Sequence, residues 1–177
     1  MRLSAGVEWG LHCAVLLAAL PRAGTLPGRA LAEFHGISES YLLKHLQALT
    51  RAGIFESIPG PTGGYRLARK PDQITVLEMV EAIEGPEPAF RCTDIRQRGP
   101  AAIDPELYRV RCGIHATMLS ADLAWKQALR AQTLADLVTI TGASIDQQRV
   151  ELARAWLKQN VRRRPDRPAA EPAQNRG

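Results

Sequence analysis

The sequence predicts a mainly α-helical chain with one small β-hairpin: a winged helix-turn-helix followed by a long dimerisation helix. Three observations predict it. A short helix, a glycine and a second, capped helix follow one another over residues 27–53. Two short strand-like runs then flank PGPTGG, within residues 54–69. Beyond a Pro- and Gly-rich loop, apolar residues recur at helical spacing from residue 113.

In chain order, residues 3–20 put Leu3, Val7, Leu11, Ala14, Leu17 and Ala18 on one helical face, and Pro21 and Gly24 end the run. Pro27 opens a helix over 27–35, since its fixed φ suits a first turn. Gly36 permits a tight turn. Ser38 is placed to cap the next helix, which Gly53 closes; Tyr41/Leu42, Leu46 and Leu49 form its buried stripe. In the hairpin, Pro and Gly force the reversal and Gly63-Gly64 allow positive φ. Thr75 caps a helix over 75–84, with Val76, Leu77, Val80 and Ile83 apolar and Gly85 as its stop. Residues 85–105 read as an irregular loop with room for one short turn. Met118, Leu119, Leu123, Trp125, Leu129, Leu134 and Leu137 then predict one helix over 113–137. So long a helix needs a partner surface, and a homodimer is its simplest source. Ser144 to Lys158 predicts a further helix, and the Pro-, Arg- and Ala-rich end predicts a disordered tail. The expected divisions are a DNA-binding winged helix-turn-helix at 1–84, a ligand-bearing loop at 85–112, a dimerisation helix and C-terminal helix at 113–160, and a basic tail at 161–177.

Bulk properties restrict the function classes. The chain has 177 residues, enough for one domain with an arm, and a formal net charge of +5. From Arg162 onward five arginines and two acids give +3, so the body carries only +2 and global charge argues weakly for nucleic acid. The N-terminal apolar run is too short for a bilayer and contains Glu8 and His12; it also lacks a signal-peptide layout. A cytoplasmic protein with no membrane partner is expected. Three widely spaced cysteines, Cys13, Cys92 and Cys112, argue against a disulfide framework. No phosphate loop, nucleophile–base arrangement or placeable carboxylate pair is present, so no enzyme is expected.

A helix-turn-helix lays its second helix in the major groove of double-stranded DNA. Ser38, Glu39, Ser40, Tyr41, Lys44, Gln47 and Arg51 are the candidates to face it. Hydroxyls and the Lys44 ammonium suit phosphates, whereas Gln47 could pair with adenine. At the wing, Thr62, Gly63, Gly64 and Tyr65 would approach the backbone closely, with Arg66 and Arg69 adding phosphate contacts. The plainer alternative is a winged-helix module that binds protein, with these groups merely solvated.

Glu8 and His12 lie four apart, one turn above the other on one side of the first helix. They form either a polar seam or half of a metal site. With Cys92 and Cys112 they would supply two thiolates, one imidazole and one carboxylate, a set suited to an Fe–S cluster or zinc. His115, three residues past Cys112, competes with His12 as a ligand. Cys13 points about 100° from His12 and reads as core packing. Trp9 reads as buried packing or as a shield for a cluster. His35 and His45 fall in the DNA-reading region.

The run LTRAGIFESIPGPTGGYRLAR, then ITVLEMVEAIEG and Cys92, resembles the Rrf-type family of bacterial winged-helix regulators over residues 1–138. Its most specific part is the wing, with Ser57, Gly60, Gly63, Gly64 and Tyr65 at family spacing. The resemblance implies a homodimer on a palindromic operator, with crossing long helices and the loop of one subunit near the first helix of the other. Most cluster-binding members carry three closely spaced cysteines in this loop; here there are two, far apart. GVEWGLHC resembles the RsrR-type redox-sensing branch, whose [2Fe–2S] cluster has mixed Cys, His and Glu ligation. That resemblance assigns Glu8, His12, Cys92 and Cys112 as ligands. The rival expectation is a metal-free regulator, worked either by a Cys92–Cys112 thiol switch or by a small effector.

Overall fold

The computed structural model describes residues 2–21, 23–104 and 112–163. The elements in order are α1 (Ala5–Ala18), β1 (Gly24–Thr25), α2 (Gly28–His35), α3 (Glu39–Arg51), β2 (Phe55–Ile58), β3 (Gly64–Leu67), α4 (Val76–Glu84), α5 (Gly113–Arg130), α6 (Leu134–Ser144), α7 (Gln147–Asn160) and β4 (Arg162–Arg163). One-turn 3₁₀ segments stand at Pro71–Gln73 and Ile95–Gln97, the second in the irregular loop, where a further turn closes from the Ala102 N–H to Gly99 O at 3.0 Å.

The core lies where α1, α3 and α4 meet under the hairpin. Leu42, Leu46 and Leu49 of α3 are fully buried against Cys13, Ala14 and Leu17 of α1, with Leu31, Ile54, Phe55, Ile74 and Met79 closing the cluster. Each such leucine contributes about 2 kcal/mol of burial. Tyr41 does not belong to the stripe: it is 60% exposed, and the stripe is Leu42, Leu46 and Leu49 alone. On α1 the buried side is Gly6, Val7, Gly10, Cys13, Ala14 and Leu17, while Leu3 lies ahead of the helix and is exposed. Two of these are glycines because neighbours come close. A Cβ on Gly6 would strike the His45 ring, and one on Gly10 would lie 2.7 Å from Ile83 Cδ1.

β2 and β3 pair antiparallel from Phe55↔Leu67 to Ile58↔Gly64, forming the expected hairpin. Two further strands were not expected. Leu26 exchanges backbone hydrogen bonds with Tyr65, at 3.0 and 2.7 Å, which brings β1 alongside β3. β4 then pairs antiparallel with β1, Thr25 opposite Arg162 and Gly24 opposite Arg163. Residues 162–163 are therefore an ordered strand, and the expected disordered tail is corrected there. The rest of that tail, 164–177, lies outside the described residues, as do 105–111 of the ligand-bearing loop.

The expected continuous helix over 113–137 is two helices. α5 ends at Arg130 and α6 begins at Leu134. Thr133 and Asp136 make a capping box: Thr133 Oγ1 accepts from the Asp136 N–H at 3.2 Å, and the Asp136 carboxylate accepts from the Thr133 N–H at 2.9 Å. The break is also tied to the entry of α4, where Val76 N–H donates to Gln132 O and Leu134 N–H to Ile74 O. Leu134 is thereby fully buried. A matching box at Thr75 and Glu78 starts α4. Replacing Thr133→Ala removes one half of its box and should cost about 1 kcal/mol. Urea unfolding checks this; an unchanged midpoint would mean that the bridge to α4 alone fixes the break.

Candidate functional site

α3 presents Ser38, Glu39, Ser40, Tyr41, Lys44, Gln47 and Arg51 on its exposed side. This follows from period: Leu42, Leu46 and Leu49 take the inner face, with Leu43, His45 and Ala48 half-buried at its margins, so the polar residues face out. Ser38 stands at the N-cap, but its hydroxyl meets Ser40 Oγ at 3.0 Å and makes no capping bond. The Lys44 ammonium lies 5.6 Å from the Tyr41 ring centroid, a cation–π contact one turn apart. Gly36, at φ +65°, makes the turn that separates α2 from α3.

At the wing, Thr62 is exposed, Gly63 is buried, and Gly64, Tyr65 and Arg66 are half-buried. The two glycines have an internal reason to be glycine. A Cβ on Gly63 would run into Ile58 O, and one on Gly64 would lie 2.5 Å from the Leu26 carbonyl oxygen. The wing cations are engaged. Arg66 pairs with Glu56 at 2.8 Å across the hairpin. Arg69 pairs with Glu78 at 2.8 Å and donates to the carbonyls of Gly53 and Gln73, so it ties the hairpin to α4.

On α1, Glu8 and His12 are both exposed and line one shallow groove with Leu3, Ser4, Ala5, Val7 and Leu11. They project from the side opposite the packed glycines. Trp9 is half-buried in a T-shaped contact with His45 of α3, ring centroids 5.9 Å apart. His12 lies 5.7 Å from the His35 ring at the end of α2. His35 Nε2 is buried with no hydrogen-bond partner among the described residues. Burial, helped by His12 and Arg149, holds the His35 pKa down at about 4. Cys13 is fully buried, and desolvation pushes its thiol up to about 12.

Cys92 and Cys112 come together, although the loop between them is long. Cys112 is the N-cap residue of α5, so its sulfur stands at a helix N-terminus. Its pKa is lowered, first by the His115 N–H, then by the Ile114 N–H, the Arg96 charge and the Cys92 side chain, while desolvation works the other way. The loop leading to Cys92 is fastened to α5. Lys126 donates to Pro86 O at 2.6 Å and pairs with Glu81 at 3.2 Å, and Asp122 accepts from the Ala89 N–H at 3.3 Å. His115 rests against Phe90, with Nδ1 buried and unpartnered among the described residues.

The four expected ligands are thus two pairs in one chain. Among the described residues, no three His, Cys, Asp or Glu side chains converge at metal-binding spacing. The donor chemistry still fits: one pair offers two soft sulfur donors, and the other offers imidazole and carboxylate.

An α3 with an exposed polar side behind a glycine turn, a hairpin wing, and a paired-cysteine loop leading into an exposed helix define a winged-helix DNA-binding regulator. A sequence profile described as "Rrf2: Iron-dependent Transcriptional regulator" matches residues 3–140, and the chain belongs to that family. It is 32% identical over 139 residues to the HTH-type transcriptional regulator NsrR of Bacillus subtilis (strain 168), covering 78% of this chain and 90% of that one. Among solved structures it is similar to "CymR (YrzC) the Global Cysteine Regulator of B. subtilis", with TM-score 0.61, 26% identity, and coverage of 79% of this chain and 98% of that chain. IscR of T. potens shares the fold at TM-score 0.61 and 22% identity, over 85% of this chain and 96% of its own. The relatives are transcriptional regulators, not enzymes. Among the described residues no helix is long and apolar enough to cross a membrane.

The sequence reading missed Arg96 beside the cysteines, the His12–His35 contact, and Arg162 at the wing. None has a local signal, since each arises from tertiary approach. Two outcomes follow for the metal-free protein. Iodoacetamide alkylation read by mass spectrometry should leave Cys13 unmodified in the folded chain. Cys112 should react to lower pH than an ordinary thiol, because a lowered pKa keeps thiolate present there; equal labelling of both would contradict the geometry. Since the His35 pKa is below its ordinary value of 6.5, the unfolded chain binds more protons on acidification. Stability should therefore be lost as pH falls from 6.5 toward about 4, and His35→Phe should flatten that part of the profile.

Proposed function

We propose that this chain is a cytoplasmic, homodimeric, redox-sensing transcriptional regulator that holds a [2Fe–2S] cluster through Glu8, His12, Cys92 and Cys112, with the two pairs supplied by different subunits. The observation that carries it is the split set: Cys92 and Cys112 meet at the start of α5, while Glu8 and His12 face outward together on α1. The resemblance of GVEWGLHC to the RsrR-type branch supports the same four residues. A homodimer also accounts for α5, which buries no residue in the single chain and exposes Ile114, Met118 and Leu123. When bound, the cluster supplies a one-electron couple, with its potential raised by imidazole in place of thiolate.

The chain's own residues carry the output. α1 bears Glu8 and His12 on one side and lies against α3 on the other, through Gly6 on His45, Trp9 on His45 and Gly10 near Leu49. A displacement of α1 therefore displaces the recognition helix. Two recognition helices reading a palindrome must keep a spacing of about 34 Å, one DNA turn, so operator affinity follows. Ser38, Ser40, Tyr41, Lys44, Gln47 and Arg51 take the major groove, and Thr62 to Arg66 take the backbone beside it. Trp9 stands between Glu8 and α3, where it shields the ligand pair.

The contact between the thiols favours a second reading: a metal-free regulator in which a peroxide-class oxidant joins Cys92 to Cys112. Iron and acid-labile sulfide in anaerobically purified protein separate the two. Wild type should hold about two of each per site, and Cys92→Ala should hold neither. Mixed dimers test the split. Pairing a Glu8→Ala/His12→Ala chain with a Cys92→Ala/Cys112→Ala chain should rebuild one of two sites, although each parent dimer has none. Wild-type iron in Cys92→Ala would sink the ligand assignment, and no recovery in the mixed dimer would sink its distribution between subunits.

A further inference from the structure

The family match ends at residue 140, yet the chain continues through α7 and β4 and returns to the DNA-reading end of the molecule. Asp146 caps α7 by accepting from the Gln148 N–H at 2.8 Å. Trp156 of α7 packs on Phe34 of α2, ring centroids 4.8 Å apart, and Leu157 and Val161 join the core. β4 then completes the ribbon β4–β1–β3–β2, bringing Arg162 to the level of the wing turn. Arg162 Nη1 donates to Gly63 O at 3.3 Å, next to the bond from Thr25 Oγ1 to Thr62 O.

The charge balance at the wing makes this placement informative. Arg66 and Arg69, the wing's own cations, are each paired with a carboxylate. Among the described residues no acid pairs with Arg162 or Arg163, and both are exposed. Successive strand residues point to opposite faces, so Arg162 pins the strand to the wing turn while Arg163 remains available. The C-terminal strand therefore adds two cations beside the wing that pair with no carboxylate among the described residues.

We propose that residues 147–163 form a DNA-binding arm: α7 seats β4 on the wing ribbon, and Arg162 and Arg163 there contact duplex phosphates. The ligand is the sequence-independent phosphate backbone, since guanidinium groups at a strand edge supply charge without base readout. This rests on the DNA-binding reading of α3 and the wing, which it extends.

The test uses the full-length chain and a duplex of about 30 base pairs enriched by the wild type from a random pool, with a scrambled duplex beside it. Anisotropy titrations between about 50 and 200 mM salt give the slope of log affinity against log salt. Arg163→Ala leaves the Arg162 pin in place and should lower that slope by about 0.9 per arm that contacts a phosphate. Affinity should fall several-fold and equally for both duplexes. Arg162→Ala/Arg163→Ala should lose more, and Arg163→Lys should restore the slope because it keeps the charge. An unchanged slope and affinity in the double variant, with Lys44→Ala weakening binding, overturns the arm while leaving the DNA-binding reading intact. A wild type that enriches and binds no duplex overturns both.

Discussion

Everything else in this molecule depends on how closely α1 approaches α3 and α4. Gly6 and Gly10 remove the side chains that would hold the helices apart, and Cys13, Ala14 and Leu17 continue the same narrow face. The approach lets a helix with only a modest apolar stripe act as the common wall of the core. It also fixes what the other side of that helix must do. With its packed face spent on α3 and α4, α1 turns Glu8 and His12 outward at a constant offset from the recognition helix. The Ser4 hydroxyl and N–H both bond Glu84 Oε1, so the start of α1 is anchored to the end of α4. α1 is therefore held against both α3 and α4, on the side away from Glu8 and His12.

The cations divide between structural and free. Lys126, Arg66 and Arg69 are committed to carboxylates and carbonyls that hold the loop, hairpin and α4 together. Individually such pairs contribute at most about 1 kcal/mol where solvent reaches them. Their value is geometric, because each links elements distant in sequence. Among the described residues, Lys44 and Arg51 on α3 and Arg162 and Arg163 beside the wing pair with no carboxylate. A net charge of +5 for the whole chain conceals this arrangement.

Much of the fold was legible because local chemistry agreed with the global arrangement. Gly36 between two periodic stretches, Thr75 before VLEM, and PGPTGG between two strand-like runs each announced their element. The break at residues 131–133 was missed because both halves keep apolar residues in helical register; period alone cannot show an interruption of this kind. The Thr133–Asp136 capping box was nevertheless written in the sequence. β1 and β4 have two residues each and so no period to detect. Tyr41 was drawn into the core stripe by its neighbour Leu42, although only one of two adjacent helical residues can face inward there. Of the candidate site, spacing made the Glu8–His12 pair legible. The meeting of Cys92 with Cys112 depends on Lys126 and Asp122 holding a loop that has no pattern of its own.

Dividing the proposed ligands between two elements has a thermodynamic consequence. Under the proposed division between subunits, a group that needs all four residues binds only the arrangement that brings two chains together correctly. Its binding energy then stabilises that arrangement against alternatives. The bias cannot exceed the difference in its affinity for the two arrangements, so every 1.4 kcal/mol of that difference changes operator affinity by at most about tenfold. A carboxylate is the weakest of the four donors toward iron. Glu8 is therefore the position at which the difference is easiest to tune, and it sits next to Trp9, which rests on His45 of the recognition helix. A weak ligand beside a stiff connection suits a sensor, whereas a structural site would call for four tight donors and no path to α3.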